Sequence, residues 1–178
     1  SAVRRRARRA RAQRVRPVLG EAFVKATGVQ LLDTTLADGI RADDVALAPI
    51  DQVRIALRLD ALGVGYLEVD PLGGAARFMQ EARRVALRST RLLARAAIGR
   101  GSARERRIAV SRALRFDAAG VVLHLGARTV EGIEEAIERI RGAGREAMIR
   151  FEDWFAWWAC EPDVALFAVR TAARAGAA

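Results

Sequence analysis

Residues Val29–Arg41 read VQLLDTTLADGIR. An apolar run, Val29, Leu31 and Leu32, leads into Asp33-Thr34-Thr35, and Leu36-Ala37-Asp38-Gly39 follows before a polar loop. This pattern predicts a buried strand that ends in polar residues and a glycine, before a helix that begins near Pro49. In parallel α/β folds ligands sit at the carboxyl ends of the strands, so Asp38 falls where a site would be built.

Outward from this stretch the same unit recurs. Asp51 is placed to cap a helix from about Gln52 to Leu62, which Gly63 ends. Gly65–Asp70 (GYLEVD) reads as the next strand, and Ala75–Leu87 as a helix with Phe78 and Val85 directed at the core. Arg91–Ile98 (RLLARAAI), Gly120–Leu125 (GVVLHL) and Glu146–Glu152 (EAMIRFE) read as three more strands. Helices over Arg104–Phe116, Thr129–Ile140 and Val164–Ala175 alternate with them. Five strands alternating with helices at these intervals predict parallel βα units. Trp154, Phe155, Trp157 and Trp158 follow the fifth strand and form the densest aromatic cluster, read as core or interface material.

The 178 residues suit one domain with a real core, but a whole eight-unit barrel typically needs roughly 250. Basic residues outnumber acidic ones 31 to 21, a net charge of +10. Ser1–Arg16 alone holds eight arginines and no acid. Residues 1–20 are therefore read as a flexible basic arm, with a possible polyanion partner through Arg4–Arg16, and residues 28–178 as the folded domain. An ordinary solvated tail and a transit-peptide-like leader are the other readings of the arm. Cys160 is the only cysteine and His124 the only histidine, so no disulfide framework exists and a His/Cys metal site within one chain is excluded by counting. No apolar run approaches the roughly 20 residues that cross a bilayer, and a cytoplasmic protein with no membrane partner is expected.

Asp33-Thr34-Thr35-Leu36-x-Asp38-Gly39 resembles the first-strand signature, D-T-T-L-R-D-G-x-Q, of the metal-dependent acyl-condensing TIM barrels. These are the citramalate, 2-isopropylmalate and homocitrate synthases and the related lyases. Gly63-Val64-Gly65-Tyr66-Leu67-Glu68-Val69 resembles their second motif, G-V-D-Y-I-E-V, at the expected distance. Leu93-Ala94-Arg95-Ala96 is similar to their third strand. Gly144, Glu146, Glu152-Asp153, Pro162-Asp163 and Ala175-Gly176-Ala177 resemble their fifth unit.

The resemblance implies a fold class: α/β, parallel βα units corresponding to the first five of a TIM (β/α)8 barrel, incomplete. It implies acyl transfer from acetyl-CoA to a 2-oxo acid, with charge stabilisation of an enolate and an alkoxide by a divalent metal (Mg, Mn or Zn) and a cationic group. Asp38 would be the metal ligand, His124 a substrate-contacting histidine, and Glu152 the acidic residue of the fifth strand. Glu68 and Asp70 would add negative charge or pair with arginines, and Arg150 would pair near Glu152 or occlude the pocket.

Two departures bear on the chemistry. The family arginine is Ala37 here, and the family's further metal ligands, an H-x-H pair, are absent from the sequence. Loss of one preorganised donor costs about 3–4 kcal/mol in barrier. The expectation is a divergent or truncated family member, inactive as this chain alone and holding no metal by itself. The alternative is a non-catalytic interaction protein or nucleic-acid-associated module. Unclosed sheet edges predict a second copy or another chain as the completing partner, covering Trp154, Trp157 and Trp158.

Overall fold

The computed structural model describes residues 29–41, 45–71, 77, 78, 81, 82, 86–99, 101–126 and 128–178. The basic arm and most of the expected second helix lie outside them. Within the latter Arg77, Phe78, Glu81 and Ala82 are helical, whereas Ala86 and Leu87 at its expected end are not. Phe78 is fully buried as its position predicts, and Val85 lies outside the described residues.

Five strands form one parallel sheet in chain order, β1 (Leu32–Asp33), β2 (Tyr66–Val69), β3 (Arg91–Ala97), β4 (Gly120–Leu125) and β5 (Glu146–Phe151). The helices are α1 (Pro49–Ala61), α2 (Ala103–Leu114), α3 (Ile133–Gly142), α4 (Trp154–Cys160) and α5 (Pro162–Ala175). Parallel neighbours joined through helices and curling into half a barrel are what the alternating pattern requires.

Alternation along the strands sorts the two faces. Leu67, Val69, Ala94, Ala96, Val121, Leu123, Leu125 and Ala147 point outward, where the helices cover them. Tyr66, Leu93, Val122 and Met148 meet on the inner face. On α3, Ile133, Ala136, Ile137 and Ile140 repeat at three- and four-residue steps and are all buried. Each of the three isoleucines contributes roughly 1.5–3 kcal/mol by leaving water.

Local signals fix the helix ends. Ser102 and Glu105 form a reciprocal capping box on α2, with Ser102 N donating to Glu105 Oε2 at 2.7 Å. Gly63 takes φ +79° immediately beyond α1. Pro162 starts α5 at a position where its missing N–H is no loss.

Three expectations are corrected. β1 has only two residues and is no buried strand: Val29 is 75% exposed and Leu31 61%, because among the described residues β1 is an edge with one neighbour. Asp51 does not cap α1; Ala48 stands at the cap with no side-chain bond, Pro49 opens the helix, and Asp51 pairs with Arg54 at 2.9 Å. The aromatic cluster is itself helical, as α4, and Trp157 is buried in the chain's own core against Phe151 and Trp154. Trp157 therefore needs no partner to cover it, whereas Trp158 is 43% and Phe155 86% exposed.

Candidate functional site at the carboxyl ends of the strands

Every strand sends one or two charged or polar side chains to the same end of the half-barrel. Asp38 comes from the turn after β1, Glu68 from β2, Arg95 from β3, His124 from β4, and Arg150 from β5 with Glu152 just beyond it. All but Asp38 and Glu152 lie within the strands on the inward parity, in register with the inner apolar layer below them.

Glu68 is the centre. Its side chain has no solvent exposure, yet it lies within an otherwise apolar strand. Arg95 Nε donates to Glu68 Oε1 at 2.5 Å, and His124 Nε2 lies 2.7 Å from the same oxygen. The second nitrogen of Arg95, Nη2, donates to Asp38 Oδ1. Arg150 Nη1 donates to Asp38 Oδ2 at 3.0 Å and stands 4.0 Å from Glu68 Oε2. On the far side of the ring, His124 Nδ1 faces Glu152 Oε1 at 3.5 Å. A buried carboxylate without such company would be expensive, so the network is the condition for Glu68 being there at all.

The electrostatics follow from these contacts. Burial pushes the Asp38 carboxyl upward, but hydrogen bonds and charge from Arg95 and Arg150 outweigh it and lower the group to about 2. Burial likewise opposes ionisation of Glu68, and His124 and Arg95 together hold it below the ordinary carboxylate range. Burial lowers Arg95, while Glu68 and Asp38 more than reverse the effect.

A second polar group closes the opposite end of the inner face. Tyr66 Oη donates to Glu146 Oε1 at 3.1 Å, and Arg91 Nη1 reaches Glu146 Oε2 at 3.0 Å while its guanidinium lies 5.6 Å from the Tyr66 ring centre. Gly120 makes room there, since a Cβ on it would run into the Glu146 backbone carbonyl. The inner face is thus polar at both ends and apolar between.

The structure brings the three sequence-assigned residues, Asp38, His124 and Glu152, into one cluster. Glu68 is an ion-pair partner of arginine, as weighed from sequence, but it is buried and central rather than peripheral. Arg150 pairs with Asp38, not near Glu152, because β5 curls its side chain across the mouth toward the exit of β1. Arg95 was missed. Its signal was a guanidinium inside Leu92–Ile98, two residues from Leu93 and hence on the same face as that core residue.

A half-barrel of parallel βα units with a charged cluster at its strand ends places the chain in the α/β-barrel class of proteins that build sites there. Comparison with curated proteins narrows the class. The chain is 30% identical over 171 residues to the (R)-citramalate synthase of Synechocystis sp., covering 86% of this chain and 31% of that protein. It is 26% identical over 166 residues to the (R)-citramalate synthase of Streptomyces coelicolor, covering 83% and 31%. A 40-residue stretch is 48% identical to the (R)-citramalate synthase of Geobacter sulfurreducens, covering 22% of this chain and 8% of that protein. The chain is a distant homologue of the citramalate synthases, spanning about 31% of the length of the Synechocystis and Streptomyces relatives. No family model matches it.

The donor set does not fit the divalent metal that this kinship implies. Both Asp38 oxygens accept from guanidinium groups, and Glu68 Oε1 is shared between Arg95 and His124. A dication at Asp38 would displace one guanidinium and lie beside another, where like charges a few ångströms apart repel by about 4 kcal/mol per unit pair at an effective dielectric of 20. Among the described residues no group of three or more His, Cys, Asp and Glu is placed to hold a metal ion.

Proposed function

We propose that this chain is a divergent member of the citramalate synthase family that does not, on its own, transfer an acyl group from acetyl-CoA to a 2-oxo acid. The observation that supports this most is the engagement of Asp38, the would-be metal ligand, by Arg95 and Arg150. Condensation needs positive charge directed at the developing enolate and alkoxide. Here the guanidiniums are directed at the protein's own carboxylates, and Ala37 stands fully buried where the family carries its arginine.

A thiol-release assay with acetyl-CoA and pyruvate or 2-oxoisovalerate, with magnesium or manganese added, tests the reading. No turnover is expected. Turnover abolished by Asp38→Ala would overturn it, whereas turnover surviving that substitution would come from a contaminant.

A role through association is the second reading, favoured by a specific observation. The outer edges of β1 and β5 pair with no strand among the described residues. Val29 and Leu31 are exposed beside the first edge, and Phe155, Trp158 and Phe167 on the helices that follow the second. A second copy or another chain that completes the sheet edge would cover them. Light scattering checks this, and a monodisperse monomer across concentration would remove the reading.

A further inference from the structure

The outer face of α2 holds charge that neither the strand-end cluster nor the core uses. Arg104, Arg107, Ile108, Ser111, Arg112 and Arg115 line one shallow groove of about 430 Å³. Their spacing, at steps of three and four residues, is that of a single stripe along a helix. The four arginines are exposed, as is Ile108 at 40%.

The helix separates two uses of arginine. Arg106 points inward, donates to Gly101 O at 2.5 Å and pairs with Glu131 at 2.6 Å. The stripe has no such satisfaction. Glu105, the only acid on α2, is occupied in the capping box, and the one salt bridge formed by the stripe's arginines among the described residues is Arg107–Glu135, at 3.6 Å. Arg139 of α3 adds a fifth cation, donating to Ser111 Oγ at 3.1 Å.

Local electrostatics oppose this arrangement. Arg104 sits in the first turn, at the positive end of the helix dipole, and Arg104–Arg107 and Arg112–Arg115 are like-charge pairs three residues apart. An anion lying along the stripe would relieve both.

We propose that this face binds the phosphate backbone of a nucleic acid. The shape of the patch selects the ligand. From Arg104 to Arg115 the stripe runs roughly 16 Å at 1.5 Å rise per residue. A small phosphate compound needs donors converging on a point, whereas a line of guanidiniums suits a linear, repeating anion. No aromatic residue lines the groove, so bases have nothing to stack on and the binding is blind to sequence. With about four phosphates neutralised, the log–log salt slope attributable to the stripe is about −3.6, which makes affinity fall roughly 150-fold between 50 and 200 mM salt.

The test uses the full chain and a fluorescent duplex DNA of arbitrary sequence, titrated by anisotropy over a salt series. The variant replaces Arg104, Arg107, Arg112 and Arg115 by Gln. A charge-matched control replaces Arg54, Arg58, Arg170 and Arg174, which are exposed elsewhere. A third variant replaces Arg4, Arg5, Arg6 and Arg8 of the N-terminal stretch. Unchanged melting curves verify the fold. The proposal expects the helix variant to lose about 3.6 units of slope and the Arg54 control less than one. Equal losses in those two would reduce the effect to net charge and overturn it. Loss confined to the N-terminal variant would overturn it in favour of the arm. Competition by a polyglutamate peptide as effective as the duplex would assign the face to acidic proteins instead.

Discussion

Replacing Arg95 by Met isolates the value of the strand-end network. Met keeps much of the side-chain length but leaves Glu68, whose side chain has no solvent exposure, without the cation 2.5 Å from its oxygen. Breaking a buried ion pair from one side costs about 3–5 kcal/mol. His124, 2.7 Å from the same oxygen, and Arg150, 4.0 Å from the other, remain in place, so about 3 kcal/mol is expected. The loss at Asp38 adds little, since that side chain is 43% exposed and keeps Arg150. Urea unfolding at pH 7, followed by far-ultraviolet circular dichroism and by the fluorescence of buried Trp157, measures it. The double variant Glu68→Leu/Arg95→Met removes both charges and should recover stability to within about 1 kcal/mol of the parent. A single variant as stable as the parent, or a double variant as unstable as the single, would refute the view that Glu68 depends on Arg95.

Asp60→Ala should destabilise by about 3 kcal/mol, because the backbone N–H groups of Arg88, Ser89 and Thr90, at 2.8–2.9 Å from its carboxylate, lose their acceptor and Thr90 is buried; Asp60→Asn should fall between, by the same urea titration. Stability should hold from neutral pH down to about 5 and fall progressively below that, through about 2, since Asp38, Glu68 and Asp60 are all depressed in the fold and the unfolded chain binds the extra protons first; unfolding midpoints across that window check it, and a flat profile would contradict the network. Manganese at millimolar concentration should show no saturable site that Asp38→Ala removes, as read by the loss of free-ion signal in electron paramagnetic resonance.

How far the sequence reached depends on how local each signal is. Strand and helix alternation was legible because β2 to β5 are short, largely apolar runs bounded by turn residues, and α3 carries a clean isoleucine stripe. The exposure of β1 was not, since an apolar run such as Val29–Leu32 reads the same at an edge as at a centre, and only the neighbour count decides. Asp51 has the chemistry of a cap, but Pro49 two residues earlier preorganises the first turn and shifts the start of α1. At the site, Asp38, His124 and Glu152 were found through motifs. Arg95 lies within the stretch that resembles the family's third strand, but that resemblance assigns it no role, and only the curl of the sheet shows that its guanidinium reaches Asp38, 57 positions away. Arg150 and Glu152 are two positions apart and share a face by strand alternation, so the sequence pairs them. That Arg150 turns to Asp38 instead depends on the curl of the sheet, which brings a side chain 112 positions away within reach.

The bridge from Arg150 to Asp38 also orders events in time. Its partners are 112 residues apart, against 27 for Arg95 and Glu68. On an unfolded chain that fourfold longer loop costs about 1.2 kcal/mol more to close. Each βα unit can dock on its neighbour through nearby contacts, but the mouth can seal only when the last strand has found the sheet. Arg150 therefore belongs to the final step of folding. Its truncation should leave the folding rate nearly unchanged and quicken unfolding, the signature of a contact absent from the transition state. A chain built from repeating units thus acquires a late latch, and opening that latch would leave the turn after β1 held at Asp38 by Arg95 alone before any strand separates.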